Sequence, residues 1–460
     1  MKIRISILVA LFFLSTHLFA QQISQFKKND RVVFLGNSIT EAGYYHSYIW
    51  LYYMTRFPDM PLTVLGAGVG GDRAEEMFKR LDGDVFSQKP TVLVTTFGMN
   101  DTGYFEYNQP GAKEYADKRV SESFEWYKKI EDRYKKLTKT KIVLMGSSPY
   151  DETAIIENNI PFKDKNKAML RIVDFQRKGA IENGWEFLDL NTPITEINKP
   201  IQKKNPSFTL FGGDRIHPDN AGHMVMAYLF LKAQGFSGKE VATIDIDGSK
   251  PGITTTSNCT VSNLKRNPTG ISFNYLAKSL PYPLDTIVRG WNYKNAQAKA
   301  IEVVPFMEEM NKETLRISGI SGSYRLIIDN EEIGTWTGDA FAKGINMASL
   351  SNTPQYQQAL KVMFLNEERL EIERRFREFM WVQYTLFYNK GLLFANNRES
   401  INLLDKNLSN GWVKARRDLY TKAMSPEIRE TWQKEMDLIF SMIYKINKPL
   451  MRKISIIKID

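Results

Sequence analysis

With 460 residues, 43% of them hydrophobic and 12% aromatic, the chain has a globular composition and enough apolar material for two or three domains. A single cysteine, Cys259, excludes an intrachain disulfide, so stability must come from packing. The formal net charge of +10 favours acidic partners such as uronic-acid polysaccharides or anionic surfaces, while the lack of a Lys/Arg run interleaved with aromatics argues against nucleic acid.

The first segment, MKIRISILVALFFLSTHLFA, carries Lys2 and Arg4, an apolar stretch over 5–14 and a short end at Ala20. It reads as a secretory signal peptide cut after Ala20, although Leu18 is larger than the residue preferred three positions before a cut. No cysteine follows to accept a lipid, so the mature protein is expected in the periplasm or outside the cell. No later segment approaches eighteen uninterrupted apolar residues, which argues against stable membrane insertion.

From about residue 30 to 236, short apolar runs alternate with amphipathic stretches. RVVFL (31–35), LTVLG (62–66), TVLVTTF (91–97), KIVLMG (141–146) and WEFLDL (185–190) read as buried strands, with helices expected over 112–137 and 165–183. The βαβα pattern predicts an α/β fold with a parallel sheet covered on both faces, and ligands then bind beyond the carboxyl ends of the strands. The character changes at Gly235. Residues 237–350 read as a linker and a small β module, with strands expected in KAIEVVPF (299–306), TLRISGI and a hairpin turning near Asp329-Asn330. Residues 351–460, poor in glycine and rich in 3.6-period stretches, read as a helical C-terminal region.

Candidate chemistry sits at the strand ends. In VVFLGNSITEAGYY (32–45), Ser38 lies just past the first strand; taken alone, the stretch also suits ordinary turn chemistry, with Ser38 capping the next helix. A serine hydroxyl needs a base, and outside the signal segment there are three histidines. His217, in GGDRIHPDNAGH, has Asp214 three residues before it in a loop, a spacing at which the carboxylate can orient the imidazole. His223 reads as structural, and His46 as a cap or surface residue. Two further strand ends, GAGVGGDRA (66–74) and FGMND (97–101), offer the Gly71 N–H and the Asn100 amide as donors to an oxyanion. Asp72, Asp101 and Asp219 could also be taken for the acid, but Asp101 reads as a turn brace and Asp72, after a glycine turn, as a helix cap. No metal-ligand or phosphate-loop spacing is present, so the chemistry requires neither metal nor cofactor.

Together, GNSIT, GVGGD, GMND and DRIHP resemble the sequence blocks of the SGNH hydrolases, also called GDSL-type esterases, across about residues 26–236. The resemblance implies a three-layer α/β/α flavodoxin-like fold, Ser38 as nucleophile, His217 as base and Asp214 as its partner. It also implies an oxyanion hole made by the N–H groups of Ser38 and Gly71 with Asn100. Gly66 departs from the Asn that members often carry there, which bears on loop bracing. Export, basic charge and extra modules fit the carbohydrate-esterase branch, removing acetyl or other small acyl groups from a polysaccharide. A lipid esterase or lysophospholipase, and a non-catalytic glycan-binding protein, are the alternatives. The aromatic insert TGYFEYNQPGAKEY (102–115) is expected to overhang the site.

Overall fold

The structure, a computed structural model, describes residues 22–459 except 251, 291 and 292. The expected signal peptide, residues 1–20, lies outside the described residues.

Five strands, β1 (Arg31–Gly36), β2 (Thr63–Gly68), β3 (Val92–Thr95), β4 (Lys141–Gly146) and β5 (Glu186–Asp189), form a parallel sheet in the order β2-β1-β3-β4-β5. Their runs are apolar throughout because both faces are covered. In β1, Val32 and Phe34 enter one core while Val33 and Leu35 enter the other. The short α1 (Ser38–Glu41) follows β1 directly. Helix α2 (Tyr44–Arg56) covers the first face, and α3 (Ala74–Lys79), α4 (Ala112–Tyr134) and α5 (Lys165–Asn183) cover the second. After β5 come α6 (Asn191–Gln202) and α7 (Asn220–Ala233), the latter packed beside α2. The strand order reverses at β1, so its carboxyl end opens a crevice between diverging connections.

Among the described residues, nine further strands form two sheets that share one core. One, ordered β13-β10-β6-β7, uses β6 (Ala242–Asp247), β7 (Ile253–Ser257), β10 (Glu313–Ser318) and β13 (Ile345–Asn346). The other, ordered β12-β11-β14-β9-β8, uses β8 (Cys259–Asn267), β9 (Gly270–Ala277), β11 (Ser323–Ile328), β12 (Glu331–Thr337) and β14 (Arg452–Lys458). The hairpin near Asp329-Asn330 joins β11 to β12, and both turn residues have positive φ, 52° and 74°, as a type I′ turn requires. The expected strand at 299–306 instead begins as a 3₁₀ turn, Gln297–Glu302. Its apolar Ala300 and Val304 fall four apart and enter the core beside α7, a helical rather than a strand spacing.

The helical region begins with α8 and α9 as short pieces (Phe306–Met310, Gly338–Lys343) and continues with α10 (Pro354–Trp381), α11 (Arg398–Lys406), α12 (Gly411–Ala423) and α13 (Pro426–Ile446). It does not stay helical to the chain end: β14 runs between β9 and β11, with Ile454 and Ile456 buried in the β core. Val362, Met363 and Leu370 of α10 enter the same core as α2 and α7, so these helices are packed onto the parallel sheet's layer. Among the described residues no helix is long and apolar enough to cross a membrane.

Candidate active site

Beyond β1 the chain turns sharply, and the residue that caps α1 is Asn37, whose Oδ1 accepts the Ile39 N–H at 3.1 Å. Ser38 is therefore not spent as a helix cap. Its Oγ lies 2.8 Å from His217 Nε2. The loop carrying His217 is closed by the Gly212 N–H donating to His217 O at 2.7 Å and the Arg215 N–H to Gly212 O at 3.0 Å. Within it, Asp214 Oδ1 accepts the N–H groups of Ile216 (2.9 Å) and His217 (3.0 Å), and Oδ2 stands 2.5 Å from His217 Nδ1. Burial would raise the Asp214 carboxyl, but the hydrogen bonds and charge of His217 outweigh it and hold the group below the usual carboxylate range. An ionised carboxylate can only accept, so Nδ1 carries the proton and the Nε2 lone pair faces the Ser38 hydroxyl.

The expected oxyanion donors border the same turn. Neither the Ser38 nor the Gly71 N–H has an acceptor among the described residues. Gly71, in the turn after β2, adopts φ +88°, a conformation L side chains resist. A Cβ on the adjacent Gly70 would lie 3.8 Å from Ser38 Cβ, so this loop runs against the serine. Asn100 Nδ2 donates to Asp72 O at 2.9 Å and Tyr104 O–H donates to Asn100 Oδ1, which fixes the amide's orientation and leaves its second hydrogen unused. Asp101 braces this turn by accepting the N–H groups of Gly98 and Ala74, each at 2.9 Å.

A cleft of about 1200 Å³ opens on Ser38 and His217. Its walls come from three separate parts of the chain: Tyr44, Tyr48 and Leu51 of α2; Ile287, Val288 and Tyr293, which follow the β module's strand β9; and α10 and α12, with Met363, Leu370 and Trp412. The insert 102–115, expected to overhang the site, contributes no residue to this lining. It touches the site through Tyr104, whose O–H donates to Asn100 Oδ1, and otherwise folds back on its own backbone, with Tyr107 O–H donating to Thr102 O at 2.9 Å. The basic excess of the whole chain does not reach the cleft either, where Glu41, Asp285, Glu367, Glu368, Glu371 and Glu378 outnumber Arg289, Arg374 and Arg377.

Residues 34–225 match the GDSL-like Lipase/Acylhydrolase family, and residues 360–448 match a family described as the Diltiazem deacetylase C-terminal helical domain. A solved structure described as a gut microbial diltiazem-metabolizing enzyme is 57% identical, covering 96% of this chain and 100% of its own, with a TM-score of 0.94. The chain belongs to the GDSL-like lipase/acylhydrolase family. It is an ester-bond hydrolase on the α/β fold. An acetylxylan esterase of Geobacillus stearothermophilus is 26% identical over 227 residues, 45% of this chain and 94% of that protein.

Several residues that support the esterase's site carry no motif signal. Arg215, buried between Asp214 and His217, donates from its guanidinium to Asp151 O (3.1 Å), Ala154 O (2.6 Å), Asn159 Oδ1 (3.0 Å) and Asn159 O (2.6 Å), pinning the loop at a backbone φ of +65°. Lys165 Nζ donates to Met99 O (2.7 Å), Thr102 Oγ1 (2.7 Å) and Gly103 O (2.6 Å), bracketing Asn100; burial lowers it to about 7. His46 is neither cap nor surface. It is buried, stacks on Phe34 at 5.5 Å and places Nε2 3.3 Å from Thr40 O. His223 is likewise buried, beside the Tyr293 hydroxyl. Gly66 finds its reason here: its N–H donates to Glu373 of α10, and a Cβ at that position would lie 2.9 Å from His46 Nε2. The only advance signal for such residues is a charge or glycine inside an otherwise apolar or small-residue stretch.

Proposed function

We propose that this esterase hydrolyses acetate esters of bulky, aromatic-bearing alcohols through a covalent acetyl-Ser38. The observation that carries the reading is the 2.8 Å approach of Ser38 Oγ to His217 Nε2 at the floor of a cleft walled by α10 and α12. As Oγ attacks the ester carbonyl, its proton passes to Nε2, and Asp214 stabilises the resulting imidazolium. The carbonyl oxygen, now anionic, accepts from the N–H groups of Ser38 and Gly71 and from Asn100. Collapse expels the alcohol, which takes the proton from Nε2. Water then attacks acetyl-Ser38 as Nε2 again accepts a proton, and Nε2 returns that proton to Ser38 Oγ as the acyl–oxygen bond breaks and acetate leaves.

The alcohol's character is supported by the tyrosines and Trp412 of the cleft and by the 57% identity to a protein described as diltiazem-metabolizing. An acetylated carbohydrate is the second reading, favoured by the acetylxylan esterase relative. The leader over 1–20 supports export to the periplasm or beyond, which N-terminal sequencing of the mature protein tests.

The deciding experiment measures acetate release from p-nitrophenyl acetate, diltiazem and acetylated xylo-oligosaccharides by wild type and by Ser38→Ala. Wild type should prefer diltiazem over the sugar ester, and Ser38→Ala should fall to background. Equal rates for the two proteins would reject the mechanism, and a preference for the sugar would select the second reading.

A further inference from the structure

Helix α10 sends Arg377 into the layer beneath the active site. There it meets Asp84 through two contacts, Nη2 to Oδ1 at 2.6 Å and Nη1 to Oδ2 at 3.1 Å. Asp84 also accepts from Arg80 Nη1 at 2.6 Å. Arg80 in turn donates through Nε to Asp72 Oδ2 at 2.6 Å and through Nη2 to Gly36 O at 2.9 Å. All four charged side chains are buried, so two guanidiniums face two carboxylates with almost no water to screen them.

The far end of this chain matters most. Gly36 lies two residues before Ser38. Asp72 directly follows Gly71, and its carbonyl holds the Asn100 amide. The Ser38 and Gly71 donors are thus within two residues of one that Arg80 grips, and Asn100 hydrogen-bonds the main-chain carbonyl of Asp72, whose carboxylate Arg80 holds. Resting on the reading of Ser38 as nucleophile, we infer that the Arg377–Asp84–Arg80–Asp72 chain is a positioning device, through which docking of the helical region sets the geometry of the oxyanion hole. The charge balance explains why the helical region is needed. Without Arg377, one guanidinium would have to serve two buried carboxylates, and its hold on Gly36 and Asp72 would slacken. Burial already raises Asp72 to about 7 against the pull of Arg80, whereas Arg377 and Arg80 overcome burial at Asp84 and keep it below the carboxylate range.

The test uses Asp84→Asn, which is isosteric and lies outside the cleft, and Arg377→Lys, with the half-exposed Arg375→Met on the same helix as control. The readouts are kcat and KM for p-nitrophenyl acetate and the affinity of a trifluoromethyl ketone, whose adduct places an anion in the hole. Both variants should lower kcat and ketone affinity together by about 10- to 100-fold, with KM changed less than about threefold, since misplacing preorganised donors costs the transition state and not the ground state. Arg377→Lys should be the milder of the two, and Arg375→Met should match wild type. Wild-type kcat and ketone affinity in folded Asp84→Asn would overturn the inference. Failure of both variants to fold would overturn it too, in favour of a role in holding the fold alone. Ser38→Ala run in parallel separates the two readings: if it stays active the nucleophile assignment fails, whatever the relay variants do.

Discussion

Replacing Gly66 with alanine puts the close approach of α10 to the parallel sheet under direct test. A methyl group there would stand 2.9 Å from His46 Nε2 and 3.0 Å from Glu373 Oε1, about 0.4–0.5 Å inside ordinary van der Waals contact. Neither neighbour can yield cheaply. His46 stacks on Phe34 and meets Tyr45 edge-on at 5.4 Å, and Glu373 is held by buried Arg369. Overpacking of this kind costs about 1–3 kcal/mol. If Glu373 retreats instead, the Gly66 N–H loses a charge-assisted acceptor in a buried place, a loss of about 1.5–3 kcal/mol. Either route gives a destabilisation of about 1–3 kcal/mol. Urea unfolding of Gly66→Ala, followed by circular dichroism and by proteolysis within α10, measures it. Gly411→Ala is the control, since a Cβ there meets nothing within 4 Å. An unfolding free energy within about 0.5 kcal/mol of wild type would refute the reasoning, because it would mean that the space at Gly66 is not occupied as described.

Asn100→Ala should lower kcat about 10²- to 10³-fold with little change in KM, as loss of one oxyanion donor does, and steady-state kinetics on p-nitrophenyl acetate will check it. Trp412, 65% exposed at the cleft rim, should matter only to large alcohols. Trp412→Ala should raise KM for diltiazem roughly 5- to 30-fold, the equivalent of about 1–2 kcal/mol of lost apolar burial, and leave p-nitrophenyl acetate unaffected. Acid should destabilise the fold through its buried histidines. Burial lowers His46 from 6.5 to about 4 and holds His223 well below 6.5, so below pH 6.5 the unfolded chain takes up protons that the folded one refuses. The histidines' contribution to stability is therefore lost as pH falls, by about 1.4 kcal/mol per pH unit for His46 alone down to its folded value. Buried Asp72 and Glu313, both raised to about 7, act in the opposite sense over the same window, so the His46 contribution is read as a difference. Urea unfolding of wild type and His46→Gln between about pH 7 and pH 5 should differ in slope by about that amount, and identical slopes would contradict the assignment.

The parallel sheet and the residues of its candidate active site were legible in the chain alone. Strands buried on both faces need uninterrupted apolar runs, and the loops that follow them need Gly, Asn and Asp for their backbone angles, so both leave local marks. Ser38, Gly71, Asn100, Asp214 and His217 were legible because each sits in such a loop. Likewise Asp329 and Asn330 announced their hairpin, since few residues accept two successive positive φ values. Only the tertiary structure decided what surrounds that site. Asn37 rather than Ser38 caps α1, β14 returns from the chain end to the middle of a sheet, and α10 and α12 wall the cleft while no residue of the insert 102–115 lines it. Arg80, Asp84, Glu373 and Arg377 look like surface charges in the sequence, yet they are buried because each finds a partner hundreds of residues away or on the next helical turn. Pairing of that kind depends on position in space, and hydrophobic periodicity carries no trace of it.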